Sequence, residues 1–466
     1  MTRKKSRREG ASTVKEMLLY GLGDVGSNFI WTFTSSFLVL YYTDSVKAAA
    51  AYVGTMMLVA RILDGASDIL MGVVIEKTRT RWGKARPWIL FGSVPFAVSL
   101  LLLFNVPTGF SESGKNAYIF LTYVFMSVFC YTAVNLAYHA TLARFSLTQH
   151  DRAVVTTVRV LMVTALALVL AYATPYLLEL FGGQRKQRSW SILSAIYAGL
   201  AFICLMGCFF GVKEKVPLPA AKEGGRRRPL GPSIRALLHT KYFYLAAALN
   251  TVGAAFSGSM GGYIYYARDV LGNAGYFGLM SALTMLPMLL GTPLMPLFFR
   301  KMGKRNAILS GMILSAAACA VQFFVPYSLA VVLACTGFRA LGIVPLLTAA
   351  YTLPGDIVDY MDWKDGIRTE GLVSGATSFG SKVGTGLGSA TLGWLLAFGR
   401  YDAGLAVQAQ ATLDAEIMIG AGVPFFLCIA CIAIILFWDI DRYLPQIEEA
   451  RREKQQVEGP GGITDI

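Results

Sequence analysis

Twelve apolar stretches, each long enough to cross a lipid bilayer, constrain the fold of this 466-residue chain more than any other feature. A transmembrane helix needs about 20 consecutive, mostly apolar residues. Charged residues make up 15% of the chain, against roughly 25% in an average soluble protein. The sequence therefore predicts an all-α membrane protein. The stretches lie at residues 20–42, 51–75, 87–104, 118–143, 153–180, 191–212, 242–266, 276–299, 307–326, 329–353, 372–398 and 416–438.

Basic residues in the connecting loops predict the orientation. The N-terminal tail, 77–86, 213–241 and 298–306 are rich in Lys and Arg, and all fall on one side if the helices alternate. Such an excess marks the cytoplasmic side. We therefore expect both termini in the cytoplasm of a bacterial-type cell, with the chain in its inner membrane. The net charge of +14 then reflects membrane topology and not nucleic-acid binding. The basic loop at 182–190 departs from the rule, because it is predicted to face outward.

The segment 213–241 is typical of a linker, because it combines Pro, Gly and a basic run. WGKAR after the second stretch is echoed by MGKRN after the eighth, which indicates two related halves. Two six-helix halves with a substrate site between them are the plan of the major facilitator fold. The predicted division is a basic tail at 1–15, a six-helix bundle at 16–212, a central cytoplasmic loop at 213–241, a second six-helix bundle at 242–438 and a cytoplasmic tail at 439–466.

Three charged residues lie on one face of the second stretch. Arg61, Asp64 and Asp68 are three and four residues apart, so a helix stacks them on one stripe. An Asp at the centre of a transmembrane helix costs about 2.5–3.5 kcal/mol. Two interpretations are open: Arg61 pairs with the carboxylates and joins two helices, or the carboxylates bind a cation.

Several motifs resemble the glycoside–pentoside–hexuronide:cation symporters. They are YGLGDVGSNF at 20–29, YYTDS at 41–45, RILDGASDILMG at 61–72 followed by TRTRWGKARPW, and GDIVDYMDWKDGIRTEGL at 355–372 followed by Lys382. YARDVLGNAGYF at 266–277 is closer to the glucuronide permeases than to the melibiose permeases. The resemblance implies a major facilitator fold with twelve transmembrane helices in two bundles. It also implies symport of a glycoside with a cation, and no enzymatic activity.

The resemblance implies a cation site on the second and fourth helices. Asp64 and Asp68 match the family's cation-binding carboxylates, and Thr132 matches a hydroxyl on its fourth helix. Ser67 stands where melibiose permeases carry Asn. Oxygen ligands suit a hard cation such as Na⁺, whereas two neighbouring carboxylates can also share a proton. The coupling cation, Na⁺ or H⁺, stays open, and we expect no other metal or cofactor.

The expected sugar-binding residues favour an anionic substrate. Asn28 and Asn135 occupy positions where melibiose permeases carry acids, while Arg159 and Lys382 match the family's intramembrane cations. Fewer acids beside the same cations make a site more positive, which favours a uronic acid glycoside such as a glucuronide. A packing role for His139 and an interfacial one for Arg159 are the alternatives. The expected substrate-binding residues are Asp24, Asn28, Asn135, His139, Arg159, Thr377 and Lys382.

A third group of charges is expected to lock one conformation on the cytoplasmic side. Its members are Arg61, Arg86, Asp356, Asp359, Arg368 and Glu370. We thus expect a monomeric symporter whose partners are a glycoside, a coupling cation and the bilayer. The alternatives are the same fold carrying a neutral oligosaccharide or a lysolipid, and a sensor that binds a ligand without transporting it.

Overall fold

The protein is helical throughout the residues described by the computed structural model, which are 13–145, 149–212, 237–350, 352–365, 370–405, 407–443, 446–447 and 449. Six helical segments make the first half. They are α1 (Val14–Leu40, continued by a π-helical turn at Tyr41–Ser45), α2 (Ala50–Lys77), α3 (Arg86–Leu103), α4 (Glu112–Val124, a π-helical turn at Phe125–Tyr131, and Thr132–Phe145), α5 (Gln149–Leu180) and α6 (Gln187–Gly211).

The second half repeats this plan with one extra short helix. Gly303, in the left-handed region at φ 78°, bends α9 and so separates the eighth apolar stretch from the ninth. The helices are α7 (Lys241–Ser259, continued through Met260–Gly262 and Tyr263–Tyr265 to a π-helical turn at Tyr266–Val270), α8 (Tyr276–Gly291), α9 (Met295–Phe324), α10 (Leu329–Ala350), α11 (Leu353–Asp365), α12 (Glu370–Phe398) and α13 (Gln410–Ile417, a π-helical turn at Met418–Gly422, and Val423–Leu436).

Hydropathy separates the outer helices from the inner ones. Within the described residues, seven helical segments are long and apolar enough to cross a membrane, and they contain α3–α6, α8–α10 and α13. The long helices α1, α2, α7 and α12 do not meet that criterion, although each has 19 residues or more. These helices carry polar residues that turn toward one another in the interior and away from lipid. The predicted all-α membrane fold is confirmed.

Within the described residues, the two halves meet closely at one end of the molecule. We call the end with Lys77, residues 78–85 and Lys304 the basic face, and the end with residues 45–49 and 399–409 the opposite face. The core of the first half continues into the second at Tyr263–Met280, Leu392–Leu396 and Ile417–Ile419, toward the opposite face. A separate core cluster fills the second half toward the basic face. The molecule is therefore closed at the opposite face.

Small residues allow the two halves to approach each other there. A Cβ atom added to Gly393 on α12 would collide with the backbone of Ala50 and Gly54 on α2. A Cβ atom added to Gly261, in the second part of α7, would likewise come too close to the carbonyl oxygen of Ser35 on α1. Glycine at these positions lets backbones of different halves touch directly, as in other close-packed membrane helices.

Candidate functional site: a charged cavity between the halves

A cavity of about 500 Å³ lies between the two halves. Four inner helices and α4 supply most of its wall, so the polar residues that make those helices poor membrane spans face this space. Trp31, Arg61, Asp64 and Tyr131 line it from the first half, and Asn250, Ala350, Pro354, Thr377, Ser378, Ser381, Lys382 and Thr385 line it from the second. A partly polar cavity with aromatic walls is typical of a small-molecule site.

Lys382 joins the halves by bridging the two carboxylates of α2. Its Nζ lies 3.0 Å from Asp64 Oδ1 and 2.6 Å from Asp68 Oδ2, and it also donates to the Asp64 backbone carbonyl at 3.1 Å. Arg61 lies on the other side of Asp64, with Nη1 3.6 Å from Oδ2. We call Arg61, Asp64, Asp68 and Lys382 the Lys382 cluster. Its two positive and two negative charges balance, which lets a largely buried group remain ionised.

The predicted hydroxyl ligands adjoin the same carboxylate. Thr132 donates a 2.8 Å hydrogen bond to Asp64 Oδ1, and Ser67 Oγ lies 3.5 Å from Thr132 Oγ1. Ser67 also donates to the Asp64 carbonyl at 2.9 Å. The π-helical turn at Phe125–Tyr131 widens α4 just before Thr132, which is a common feature of functional sites. All four residues expected to bind a cation therefore lie together.

Aromatic rings hold Arg61 at the cavity wall. Its guanidinium carbon lies 4.0 Å from the centroid of the Trp31 ring, which in turn stacks on Tyr131 at a centroid distance of 4.3 Å. A cation over an aromatic face gains about 0.5–2 kcal/mol, more when water is excluded. The Arg61–Asp64 pair, which was the first interpretation from the sequence, is thus formed, and it lies at the candidate cation site.

The residues expected to bind substrate fall into two groups. Lys382 and Thr377 line the cavity. Asp24, Asn28, His139 and Arg159 form a separate cluster within the first half: Arg159 Nε lies 3.3 Å from Asp24 Oδ2, and Asn28 donates to Asp24 Oδ1 at 3.0 Å. His139 Nδ1 lies 3.0 Å from Arg159 Nη1. Asn135 is half-buried on α4. In this conformation the second group surrounds the ion pair between Arg159 and Asp24.

Two residues of the expected cytoplasmic charge group, Arg86 and Asp356, make contacts within their own halves. Arg86 donates to the Phe209 carbonyl at 2.7 Å, and Lys304 Nζ contacts Asp356 Oδ2 at 2.5 Å. Asp359 is half-buried on α11. Arg368 lies outside the described residues, and Glu370 is the first residue of α12.

A network that the sequence analysis missed crosses the halves at the opposite face. Arg268, at the end of α7, donates to Asp44 Oδ2 on α1 at 2.6 Å and to the Tyr401 hydroxyl at 2.6 Å. Tyr401 donates to Asp44 Oδ1 at 2.7 Å, and Arg268 also binds both oxygens of Asp269 at 2.7 Å. We call these four residues the Arg268 network. Three of its members lie in YYTDS and YARDV, whose acids and base stand at helix ends and could have indicated such a contact.

The basic loop at 182–190 also contacts the other half. Arg185 Nη2 donates to the Leu405 carbonyl at 2.9 Å. This contact lies at the opposite face, beside the Arg268 network. One of the basic residues that depart from the charge rule therefore holds the two halves together.

Several cavity residues were also missed, although their positions offered a signal. Trp31 lies three residues after Asn28, and Tyr131 lies four residues before Asn135. On α12, Ser378 lies four residues before Lys382, and Ser381 lies four residues after Thr377. Neighbours at helical spacing of a predicted site residue share its face of the helix. Asn250, on α7, had no such neighbour in the predicted set.

Two bundles of helices that enclose a charged cavity, open toward one face and sealed at the other, define a membrane transporter and not an enzyme. Residues 19–442 match the family described as MFS/sugar transport protein. The chain belongs to this family, which confirms the fold and family expected from the motifs.

Similar proteins of known sequence cover almost the whole chain. The inner membrane symporter YicJ of Escherichia coli K12 is 31% identical over 91% of this chain and 91% of its own length. The isoprimeverose transporter of Lactiplantibacillus pentosus is 30% identical over 95% of this chain and 92% of its own. A glucuronide carrier protein homolog of Escherichia coli K12 is 29% identical, with 96% and 97% covered.

A solved structure shares the fold. The bacterial homolog of the human lysosomal transporter Spinster, in an inward-facing and unoccupied conformation, superposes with a TM-score of 0.68. The two sequences are 14% identical, and the match covers 93% of this chain and 97% of the other. The likeness extends to the architecture and not to the site.

Proposed function

We propose that this protein is a cation-coupled symporter that imports an acidic glycoside, such as a glucuronide, through the cavity between its halves. The basic face is cytoplasmic and the opposite face is external, following the charge of the loops. The protein then lies in the inner membrane with both termini in the cytoplasm and works as a monomer. Relatives named as a symporter, an isoprimeverose transporter and a glucuronide carrier homolog support sugar symport.

The main support is that Lys382 belongs both to the cavity wall and to the candidate cation site. Its ammonium group both lines the cavity and lies between the carboxylates of Asp64 and Asp68. It therefore occupies the place that a coupling cation would take among those oxygens. A Na⁺ ion or a proton that binds the carboxylates removes the partners of Lys382, and the released ammonium is then free to turn to the cavity.

Coupling follows from this competition. Once released, Lys382 offers a positive charge to a carboxylate on the sugar, and a charge-assisted hydrogen bond is roughly twice as strong as a neutral one. Substrate binding in turn keeps Lys382 away from the cation site. Each ligand thus favours the binding of the other, as symport requires. Trp31 and Tyr131 give the cavity an aromatic wall beside the sugar, and Ser378 and Ser381 offer hydroxyls.

The first prediction tests the substrate class by competition. Labelled glucuronide uptake into vesicles is measured with excess unlabelled glucuronide or the matching neutral glucoside, in wild type and Lys382→Gln. We expect the glucuronide to compete far better in wild type, because losing one partner of a desolvated charge pair costs about 2–5 kcal/mol. Lys382→Gln should remove most of that preference.

The control is Lys304→Gln, which changes a lysine that pairs with Asp356 away from the cavity. It should keep the wild-type preference between the two sugars. Equal competition by both sugars in the wild-type protein would show that the substrate is not selected by its charge. The fold and family would stand, and a neutral glycoside would become the better candidate.

A further inference from the structure

A buried carboxyl group, that of Glu416, lies outside the residues that line the cavity. Glu416 lies near the start of α13, beside the Arg268 network, and is 1% exposed. Neither of its carboxylate oxygens has a hydrogen-bond partner in the described part of the chain. Asp269, a member of the network, is its acidic neighbour.

The charges around Glu416 do not balance. Asp44 and Asp269 have side chains only 2% and 11% exposed, and Arg268 is the cation that binds both. Adding Glu416 gives three carboxyl groups around one guanidinium. Tyr401 and Tyr265 also face the network, and Arg400 at the end of α12 is exposed. An ionised carboxylate buried without a donor is very unfavourable, so such a group takes up a proton instead.

A proton on Glu416 would satisfy the geometry. The protonated carboxyl has one O–H donor, and each oxygen of Asp269 can accept a second hydrogen bond beside the one from Arg268. Within the described residues, no group of three His, Cys, Asp or Glu side chains converges as a metal site would. The arrangement therefore fits a proton better than a metal ion.

We propose that the closed Arg268 network holds a proton on Glu416, so that closing the opposite face takes up one proton and opening it releases one. The proton bonds to a Glu416 carboxylate oxygen, donates to Asp269 while the face is closed, and passes to water when the face opens. This site is separate from the Lys382 cluster. The proposal rests on the alternating access proposed above but on neither the substrate nor the coupling ion.

The test measures how often the opposite face opens, with no sugar present. A cysteine in the cavity, Thr385→Cys, is labelled from the external side with a membrane-impermeant thiol reagent between mildly acidic and alkaline pH. The labelling rate of Thr385→Cys is divided by the labelling rate of Val407→Cys, because Val407 is 83% exposed at the same face. This division removes the effect of pH on the thiol chemistry. Labelling of the unsubstituted chain is subtracted.

We expect the normalised rate to rise with pH. The rise should approach about tenfold per pH unit where Glu416 is protonated in the closed state and ionised in the open one. In Glu416→Gln, which mimics the protonated acid, the rate should be low and flat. Asp414→Asn removes an exposed carboxylate two residues earlier on the same helix and should keep the wild-type slope. A wild-type rate that does not change with pH, or a wild-type slope in Glu416→Gln, would overturn the proposal.

Two further measurements keep the test decisive. Glu416→Met, of similar length and without a proton to lose, replaces Glu416→Gln if that variant does not reach the membrane, and should give the same flat profile. Infrared spectra of the purified wild-type protein at neutral pH should contain a protonated carboxyl C=O band that the variant lacks. An identical band in both, or a labelling rate that follows Na⁺ and not pH at constant ionic strength, would contradict a proton site.

Discussion

At the scale of single residues, the two carboxylates of α2 are not equivalent. Asp64 is 1% exposed and is held by Thr132, Lys382 and Arg61, whereas the Asp68 side chain is 26% exposed and is held by Lys382. Asp64 is therefore both a structural and a binding residue. Asp68 is better placed to exchange its partner during transport.

This difference leads to a second prediction. Asp68→Asn and Asp64→Asn should both abolish uphill accumulation of the substrate, because each removes a carboxylate that the coupling cation needs. Asp64→Asn should also lower the free energy of unfolding by about 3 kcal/mol, since it leaves a buried cationic partner without its full countercharge. Uptake into vesicles and thermal unfolding of the purified variants measure the two effects.

Glu112→Gln supplies the control, because Glu112 is an exposed carboxylate in the first turn of α4. It should transport and unfold like the wild type. Concentrative uptake that persists in both Asp variants would exclude these carboxylates as the coupling site.

The sequence could place these residues on their helices but could not pair them all. Helical spacing alone puts Arg61, Asp64 and Asp68 on one face, and the structure agrees. Lys382 was expected beside the sugar, yet it also reaches Asp64, which lies 318 positions earlier in the chain. A contact between helices of different halves depends on how the halves dock, and a local sequence pattern does not determine this docking. The Arg268 network was missed for the same reason.

At the scale of helices, the approach of α2 and α12 controls how tightly the opposite face closes. Gly393 and Gly54 leave no room for a side chain between their backbones. Glycine and other small residues recur in these two helices, although glycine lowers helix propensity. Their physical role is to bring two halves of the molecule into direct contact.

The third prediction tests this contact with a single methyl group. Gly393→Ala places a Cβ against the Ala50 carbonyl, and overpacking of this kind costs about 1–3 kcal/mol. The closed state should lose that amount relative to the open one, so that external labelling of Thr385→Cys rises about fivefold to a hundredfold. Gly337→Ala on α10, where an added Cβ meets no atom within 4 Å, is the matched control. Equal labelling in the two variants would show that the closed face tolerates the methyl group.

At the scale of the whole molecule, the described conformation is open toward the basic face. The continuous core, the Arg268 network and the Arg185–Leu405 contact all lie at the opposite face. Arg86 and Asp356, two of the residues expected to lock the basic face, make contacts within their own halves. In the proposed orientation this is the inward-facing state, in which a substrate leaves for the cytoplasm.

The fourth prediction follows from that state. Ser378→Cys, on the cavity wall, should react with an impermeant thiol reagent in inside-out vesicles and be protected in intact cells, because the opposite face is closed in this conformation. Val407→Cys should show the reverse pattern. Fast labelling of Ser378→Cys from outside would mean that the resting protein favours the other conformation.

The polar character of the inner helices also has a consequence for how the protein is made. The helices α1, α2, α7 and α12 that surround the cavity are the ones that lipid accepts least readily. A helix with Asp64 and Asp68 is stable in the membrane only when its neighbours cover that face, and Lys382, which neutralises both, is synthesised more than three hundred residues later. Because of these binding residues, α1 and α2 must pack against α3–α6 during synthesis until the second half has been inserted. The chemistry of transport thus sets the order in which the molecule can be assembled.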